Sequence, residues 1–150
     1  MAIVIETAAR GDGADLVALL QTLFAQEAEF QPDPELQRRG IEMILSSPAT
    51  GQIFVARENG TVVGMINLLF TVSTALGAPV CWLEDMVVRP DRRGAGVGGQ
   101  LIEHAITFTR ARGYRRITLL TDGTNADARR FYERHGFARS DMAVMRLQLK

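Results

Sequence analysis

The sequence predicts a single mixed α/β domain in which an antiparallel meander of strands leads into a β-α-β crossover. Three observations carry that expectation. Three β-rich runs, at 53–57, 61–74 and 80–88, follow one another across short turns, and the first turn contains Asn59-Gly60, a strong hairpin signal. A helical run at 96–112 then separates the third strand from another at 116–121, and strands joined through a helix pair in parallel. The length of 150 residues suits one core, and no repeat, low-complexity tract or linker divides it, so residues 1–150 read as one domain.

The elements follow in order. Residues 3–7 form a short β-branched strand, closed by the turn Gly11-Asp12-Gly13. Leu16, Leu19, Leu20, Leu23 and Phe24 recur at three- and four-residue spacing, the apolar face of a helix over 13–29. Pro32 and Pro34 break that pattern. Leu36, Ile41, Ile44 and Leu45 mark a second helix that ends before Pro48. The meander comes next, with its second turn at 75–79. In the run at 80–88, Trp82, Met86 and Val88 fall on one parity and Cys81, Leu83 and Val87 on the other. A strand apolar on both faces belongs in the middle of a sheet. The helix at 96–112 turns Leu101, Ile102, Ala105, Ile106 and Phe108 inward and stops at Gly113. The run 125–135 reads as a last helix, with Thr124 and Asp127 spaced as a capping box and Gly136 as its stop. Residues 142–149 read as a final strand, giving the order β-α-α-β-β-β-α-β-α-β.

Composition removes several function classes. Hydrophobic residues make up 47% and charged residues 23%, which places the chain among ordered globular proteins. Basic and acidic residues balance at 17 each, so a general nucleic-acid or anionic-membrane binder, which needs a basic surplus, is not expected. Cys81 is the only cysteine, which excludes an internal disulfide and a thiolate cluster and reads most simply as a small core residue. His104 and His135 are too scattered for a metal site, and His135 sits where a helix C-terminus favours a cation. The start of the chain lacks the basic and apolar blocks of a signal peptide, and no apolar run approaches the ~20 residues that span a bilayer. A soluble, cytoplasmic protein is expected.

The chemistry concentrates in EDMVVRPDRRGAGVGGQL, residues 84–101. Arg93-Gly94-Ala95-Gly96-Val97-Gly98-Gly99 lies between a strand and a helix. A helix N-terminus offers unpaired amides and partial positive charge, glycines let an anion approach them, and Arg92 and Arg93 add forked donors. A phosphate or diphosphate fits such a place; a flexible turn before a glycine-tolerant helix fits it as well. The dinucleotide fingerprint does not suit a turn that follows a meander, and the nucleotide-hydrolase loop is absent because no Gly-Lys-Ser/Thr follows.

Arg93-x-x-Gly96-x-Gly98 resembles the Arg/Gln-x-x-Gly-x-Gly/Ala signature of the GNAT superfamily, the acyl-CoA-dependent N-acetyltransferases. The element order matches that fold over essentially the whole chain, and NADARRFYERHGF, residues 125–137, resembles the family's second sequence block. The resemblance implies a GNAT-like fold with a splayed central sheet and acetyl-CoA as co-substrate. It places the diphosphate of coenzyme A against Arg93, Gly94, Ala95, Gly96, Val97, Gly98 and Gly99, and the pantetheine arm along the backbone of Met86 and Val88. The side chains of Val87 and Val88 are equally explained by core packing. Homodimers are common in the family, although no interface is marked in this sequence.

Glu84 and Asp85 interrupt an otherwise apolar strand. A buried carboxylate is costly unless paired, so one of them facing solvent and the other meeting an arginine is one reading. The other is chemical. A primary amine, with a pKa of about 10.4, is almost wholly protonated at neutral pH and cannot attack a thioester until a base takes its proton. WLEDMVV also resembles the diamine and polyamine acetyltransferases of the superfamily, whose glutamate stands nine residues before the loop arginine, as Glu84 does before Arg93. That likeness implies Glu84 as base, with Asp85 as its substitute or as a cation-binding partner. By the same resemblance Tyr132, seven residues after Asn125, is the acid that meets the leaving thiolate and Asn125 a coenzyme A contact. A core aromatic and a helix cap explain these two residues equally. Arg129 and Arg130 read as a solvated helix face.

The acceptor pocket is expected from the first helices and the meander loops. Glu27, Glu29 and Asp33 either attract a cationic amine, Glu27 foremost, or form a solvated face. The expected function is therefore acetyl transfer from acetyl-CoA to a primary amine by direct attack, with a small-molecule acceptor favoured. A protein N-terminal or lysine acetyltransferase, a non-catalytic acyl-CoA sensor and a nucleotide-binding regulator are the rivals.

Overall fold

A computed structural model describes residues 2–26 and 31–149. Strand β1 (Ile3–Thr7) leads into helix α1 (Gly13–Gln26) and helix α2 (Pro34–Leu45). Strands β2 (Gly51–Glu58), β3 (Thr61–Ser73) and β4 (Ala78–Val88) follow, then helix α3 (Val97–Ala111), strand β5 (Ile117–Leu119) and helix α4 (Ala126–Arg134). The sheet order is β1-β2-β3-β4-β5, antiparallel except for the parallel β4–β5 pair. The predicted meander and crossover are both present.

Local chemistry accounts for the boundaries. Glu58 pairs with Thr61 across a two-residue turn in which Asn59 and Gly60 have φ of 52° and 80°, the conformation that matches the twist of a hairpin. Asp33 caps α2, its Oδ1 accepting from the amides of Glu35 and Leu36 at 3.1 and 3.3 Å, and Pro34 opens the first turn. Asp33 is therefore a cap, which explains it without any acceptor amine. The expected continuation of α1 to 29, and with it Glu27 and Glu29, lies outside the described residues.

Two helical layers cover the sheet. Leu16, Leu19 and Leu20 of α1 and Ile41 of α2 pack with Ile53, Val55, Met65 and Val87 on one face. Val97, Leu101, Ile102 and Ala105 of α3 pack with Phe54, Ile66, Leu68, Cys81 and Leu83 on the other, where Phe131, Tyr132 and Phe137 add the α4 side. Each face removes a dozen or so apolar side chains from water, at roughly 1.5–3 kcal/mol for each large one, and this fixes the sheet between its helices.

One residue breaks the pleat. Asn67 pairs with Asp85 and Leu68 with Leu83, so Glu84 is the extra residue of a bulge in β4. The bulge changes the parity predicted for this strand. Cys81 and Leu83 share the α3 face with Met86 and Val88, while Val87 joins the α1–α2 face. Strict alternation assigned Cys81, Leu83 and Val87 to one side; the inserted residue shifts everything after it by one position.

The sheet also opens at this point. β4 pairs with β5 only through Cys81, Trp82 and Leu83, and β4 then runs on to Val88 with no strand paired on that side among the described residues. The splay implied by the family resemblance is present.

Two expectations fail. The final strand at 142–149 has no ladder partner among the described residues, and Met142, Met145, Leu147 and Leu149 are each at least 84% exposed. A period-2 pattern sets which face a strand would bury, but pairing also needs an edge within reach. The Thr124–Asp127 capping box is also absent. Asp122 Oδ1 takes both the amide and the hydroxyl of Thr124, at 3.1 and 2.9 Å, which leaves Asn125 as the cap.

Candidate active site

A cleft of about 400 Å³ at the start of α3 reaches Met86 and Val88, in the part of β4 beyond its pairing with β5. Met86 and Val88 of β4 form one wall. Arg92, Arg93, Gly94, Gly96, Val97, Gly98 and Gly99 form its floor, and Phe131, Arg134 and His135 of α4 close the far side. Of the predicted loop residues, only Ala95 is not in contact with the cleft.

The loop's shape follows from its glycines. Gly94 and Gly96 both have φ of 83°, a left-handed conformation that side chains disfavour, and an added Cβ at either would meet nothing within 4 Å. Backbone conformation, not crowding, therefore requires glycine there. Gly96 caps α3, and Gln100 makes the first helical bond back to it at 3.1 Å. The amides of Val97, Gly98 and Gly99 accordingly lack intrahelical acceptors at the positive end of the helix dipole. The residues present fit a diphosphate: unpaired amides, two arginines and an open approach.

The two arginines differ. Arg92 is held by Glu58, its Nε donating to Oε1 at 3.1 Å, and it also meets Asp91. Arg93 is exposed and donates from Nε to the Val88 carbonyl at 3.3 Å, so it braces the loop against the end of β4.

α4 contributes differently from expectation. Asn125 caps the helix, its Oδ1 accepting from the Ala128 amide at 3.0 Å, and it does not line the cleft. Tyr132 does not line it either. Its ring packs edge-on against Phe131 and Phe137, with centroids 5.2 and 5.6 Å away, and burial pushes its hydroxyl up to about 12. Sequence reasoning missed Phe131, Arg134 and His135, which do line it. Their spacing of three and four residues puts them on one helix face, a signal available in the sequence. His135 is the C-cap of α4, as the sequence reading has it; its Nδ1 lies 2.6 Å from Glu103 Oε1, and its Nε2 lies 3.8 Å from where a Cβ on Gly99 would stand.

At the bulge, Glu84 is exposed, while Asp85 is half-buried and accepts from Asn67 Nδ2 at 3.0 Å. Asn67 itself is 3% exposed. The acids divide into one open to an incoming molecule and one oriented within the sheet.

Cys81 is fully buried, and its thiol is pushed up to about 11 by burial, which keeps it protonated and inert. A larger cleft, of about 1010 Å³, lies along α1 and α2, but no residue of β4 or the glycine loop lines it. Neither Glu84 nor Asp85 lines it. Among the described residues there is no group of three or more His, Cys, Asp or Glu that could hold a metal ion, and no helix is long and apolar enough to cross a membrane.

Comparison with known proteins agrees with this architecture. Residues 15–137 match the family model described as the acetyltransferase (GNAT) family. The chain is 32% identical over 124 residues to the uncharacterized N-acetyltransferase YhfO of Bacillus subtilis, covering 80% of this chain and 82% of that protein. It is 31% identical over 129 residues to the aminoalkylphosphonate N-acetyltransferase of Salmonella typhimurium, covering 86% and 80%. Among solved structures, the integron cassette protein HFX_CASS3 from the mobile metagenome of Cole Harbour Salt Marsh superposes with a TM-score of 0.84 at 27% identity, over 97% of this chain and 90% of that one.

Proposed function

The chain belongs to the GNAT family of acetyltransferases, and on that premise we propose that it transfers an acetyl group from acetyl-CoA to a small primary amine by direct attack within a ternary complex. The observation that carries this reading is the single cleft that joins the unpaired end of β4 to the free amides of α3. The amides of Val97, Gly98 and Gly99, with Arg93, hold the diphosphate of coenzyme A. The unpaired backbone of Met86 and Val88 bonds the pantetheine arm, which brings the thioester to the bulge.

Glu84 suits the base. It stands at the bulge, is exposed, and so meets an amine or an intervening water without displacing core residues. Its carboxylate takes one proton from the ammonium, and the freed lone pair attacks the acetyl carbon. The carbon–sulfur bond breaks, the second amine proton passes to solvent or sulfur, and Glu84 returns its proton to water. Asp85, oriented by Asn67, orients the cation.

Tyr132 serves the departing sulfur as a hydrogen-bond donor. A hydroxyl at about 12 does not surrender its proton to a thiolate whose acid lies near ~8.5, but it remains protonated at neutral pH and can stabilise that charge. Asn125 keeps its amide N–H groups for coenzyme A while its Oδ1 caps the helix.

The Salmonella relative acts on an aminoalkylphosphonate, which supports a small amine as acceptor. The same reading places the protein in the cytoplasm, with neither nucleic acid nor membrane as partner. The test is release of free thiol from acetyl-CoA with a panel of aminoalkylphosphonates, diamines, amino acids, aminoglycosides and peptides. Turnover on a small amine is expected. Turnover on peptides alone would make it a protein acetyltransferase, and coenzyme A binding with no turnover on any amine would leave a sensor.

A further inference from the structure

Three neighbouring strands set their side chains in one row across the sheet. Leu69 of β3 stands opposite Trp82 of β4, and Trp82 stands opposite Thr118 of β5. Residues paired in this way share a face, and successive residues alternate. Leu68, Phe70, Cys81, Leu83, Ile117 and Leu119, which flank the row, pack on the α3 side, so the row lies on the α1–α2 side. There α1 and α2 bury Val55, Met65 and Val87, but they leave the row open to water. Trp82 is 38% exposed, Leu69 and Thr118 are half-buried, and Leu120, two residues beyond Thr118, is 50% exposed.

Trp82 is the only tryptophan of the chain, and a large ring left beside other apolar side chains at the surface marks a place where carbon is bound. The row also has a charged end. Glu84, exposed at the bulge, and Asp85, on the same face as Val87, follow Trp82 along β4. At ~3.3 Å per residue, Glu84 lies about 7 Å beyond Trp82, the reach of a linker of about three carbons. The coenzyme cleft meets β4 from the other side, at Met86 and Val88, which pack with α3. None of Leu69, Trp82 and Thr118 lines that cleft.

We propose that this row holds the tail of the acceptor, and that the acceptor is a primary amine carrying an apolar aryl group, an inference that rests on the acetyltransferase reading above. The ammonium meets the two carboxylates, where Glu84 takes its proton, and the tail lies across Trp82 between Leu69 and Thr118. Opposite charges meet at one end of the row and carbon meets carbon at the other. An aryl ring also gains an offset stack on the indole. The reacting nitrogen has to become neutral before it attacks, and a grip on the tail does not oppose that step. Trp82 therefore sets which amine is chosen, through contact with a part of the substrate that does not react.

The emission of Trp82 reads this row alone and needs no turnover. Phenylpropylamine and aminopropanol, which share a three-carbon linker and end in a phenyl or a hydroxyl, are each titrated into the full chain with coenzyme A. Each is then assayed with acetyl-CoA on the parent, Trp82→Ala and Trp82→Phe. Phenylpropylamine should change the emission saturably at concentrations where aminopropanol leaves it unaltered, and its kcat/KM should be about tenfold the higher or more, as burial of a ring predicts. That preference should fall about tenfold in Trp82→Ala and persist in Trp82→Phe. Three results overturn the proposal: emission that ignores phenylpropylamine, aminopropanol turned over as well as the aryl amine, or a preference that survives Trp82→Ala. Turnover of aminopropanol alone overturns it while the acetyltransferase reading stands. A saturable emission change with no turnover on any amine supports the row as an aryl-amine site and overturns the transfer reading instead.

Discussion

Asn67 donates its side-chain amide to Asp85 at 3.0 Å across the β3–β4 bulge, and its own amide oxygen, fully buried, has no hydrogen-bond partner. An unpaired buried oxygen costs about 1–3 kcal/mol, so this pair is held against a local penalty beside the proposed reaction centre. Replacing Asn67 by Asp would set two carboxylates at hydrogen-bond distance, and one of them would keep a proton in the folded state. The folded variant then binds more protons than the unfolded one, so its stability falls as pH rises. Asn67→Asp is expected to lie about 1–3 kcal/mol below the parent at pH 8 and to close most of that gap near pH 4. Urea midpoints at both pH values check this; a gap independent of pH refutes the shared proton.

Glu84 is the exposed member of the acid pair, so its removal should affect chemistry and not folding. Glu84→Gln is expected to lower turnover about 10²–10⁴-fold at neutral pH, the usual worth of a positioned base, and to leave coenzyme A affinity unchanged. The loss should shrink toward high pH, where more amine is already neutral. A parallel drop at every pH would assign the base elsewhere, with Asp85→Asn as the next variant to measure.

The sequence made legible whatever is local or periodic. Asn59-Gly60 specified its turn, Leu101, Ile102 and Ala105 specified the buried side of α3, and the glycine run specified the loop over the cleft. Features that arise from pairing were not legible. The bulge at Glu84 adds one residue with no mark in composition, and it reversed the faces assigned to Val87 and Met86. The segment 142–149 carries a strand's alternation but forms no ladder among the described residues. On α4, attention to Asn125 and Tyr132 hid the residues that line the cleft, although Phe131, Arg134 and His135 share one face by spacing alone.

His135 is placed in the cleft by Glu103, which holds Nδ1 at 2.6 Å and turns Nε2 toward Gly99. A ring so fixed presents its second nitrogen beside the amides proposed to bind phosphate. His135→Ala is expected to weaken coenzyme A binding about 5–10-fold, the range of one partly exposed hydrogen bond to a charged group. Glu103→Gln should weaken it less, and the double variant should match His135→Ala alone, because Glu103 acts only through the ring. Titration calorimetry of the three variants decides the matter; additive losses would mean that Glu103 has its own contact.

Tyr132 offers a test in which stability and chemistry are read from one substitution. Its hydroxyl ionises at about 12 in the folded chain because burial disfavours the phenolate, against about 10 for an exposed tyrosine. The folded state therefore retains a proton that the unfolded state releases between those values. The stabilisation is fully present below pH 10 and is lost as pH rises toward 12. Tyr132→Phe removes that dependence while keeping the ring contacts with Phe131 and Phe137. Relative to the variant, the parent should lose on the order of 1 kcal/mol by pH 11, whereas between pH 6 and 9 their difference should stay constant. In the same range turnover of Tyr132→Phe should fall roughly tenfold, about the worth of one hydrogen bond to a charged atom, with coenzyme A affinity preserved. The parent's rate should show no limb near pH 10 from this residue. Unchanged turnover would leave Tyr132 a core aromatic, and a stability difference that ignores alkaline pH would mean that the hydroxyl is solvated.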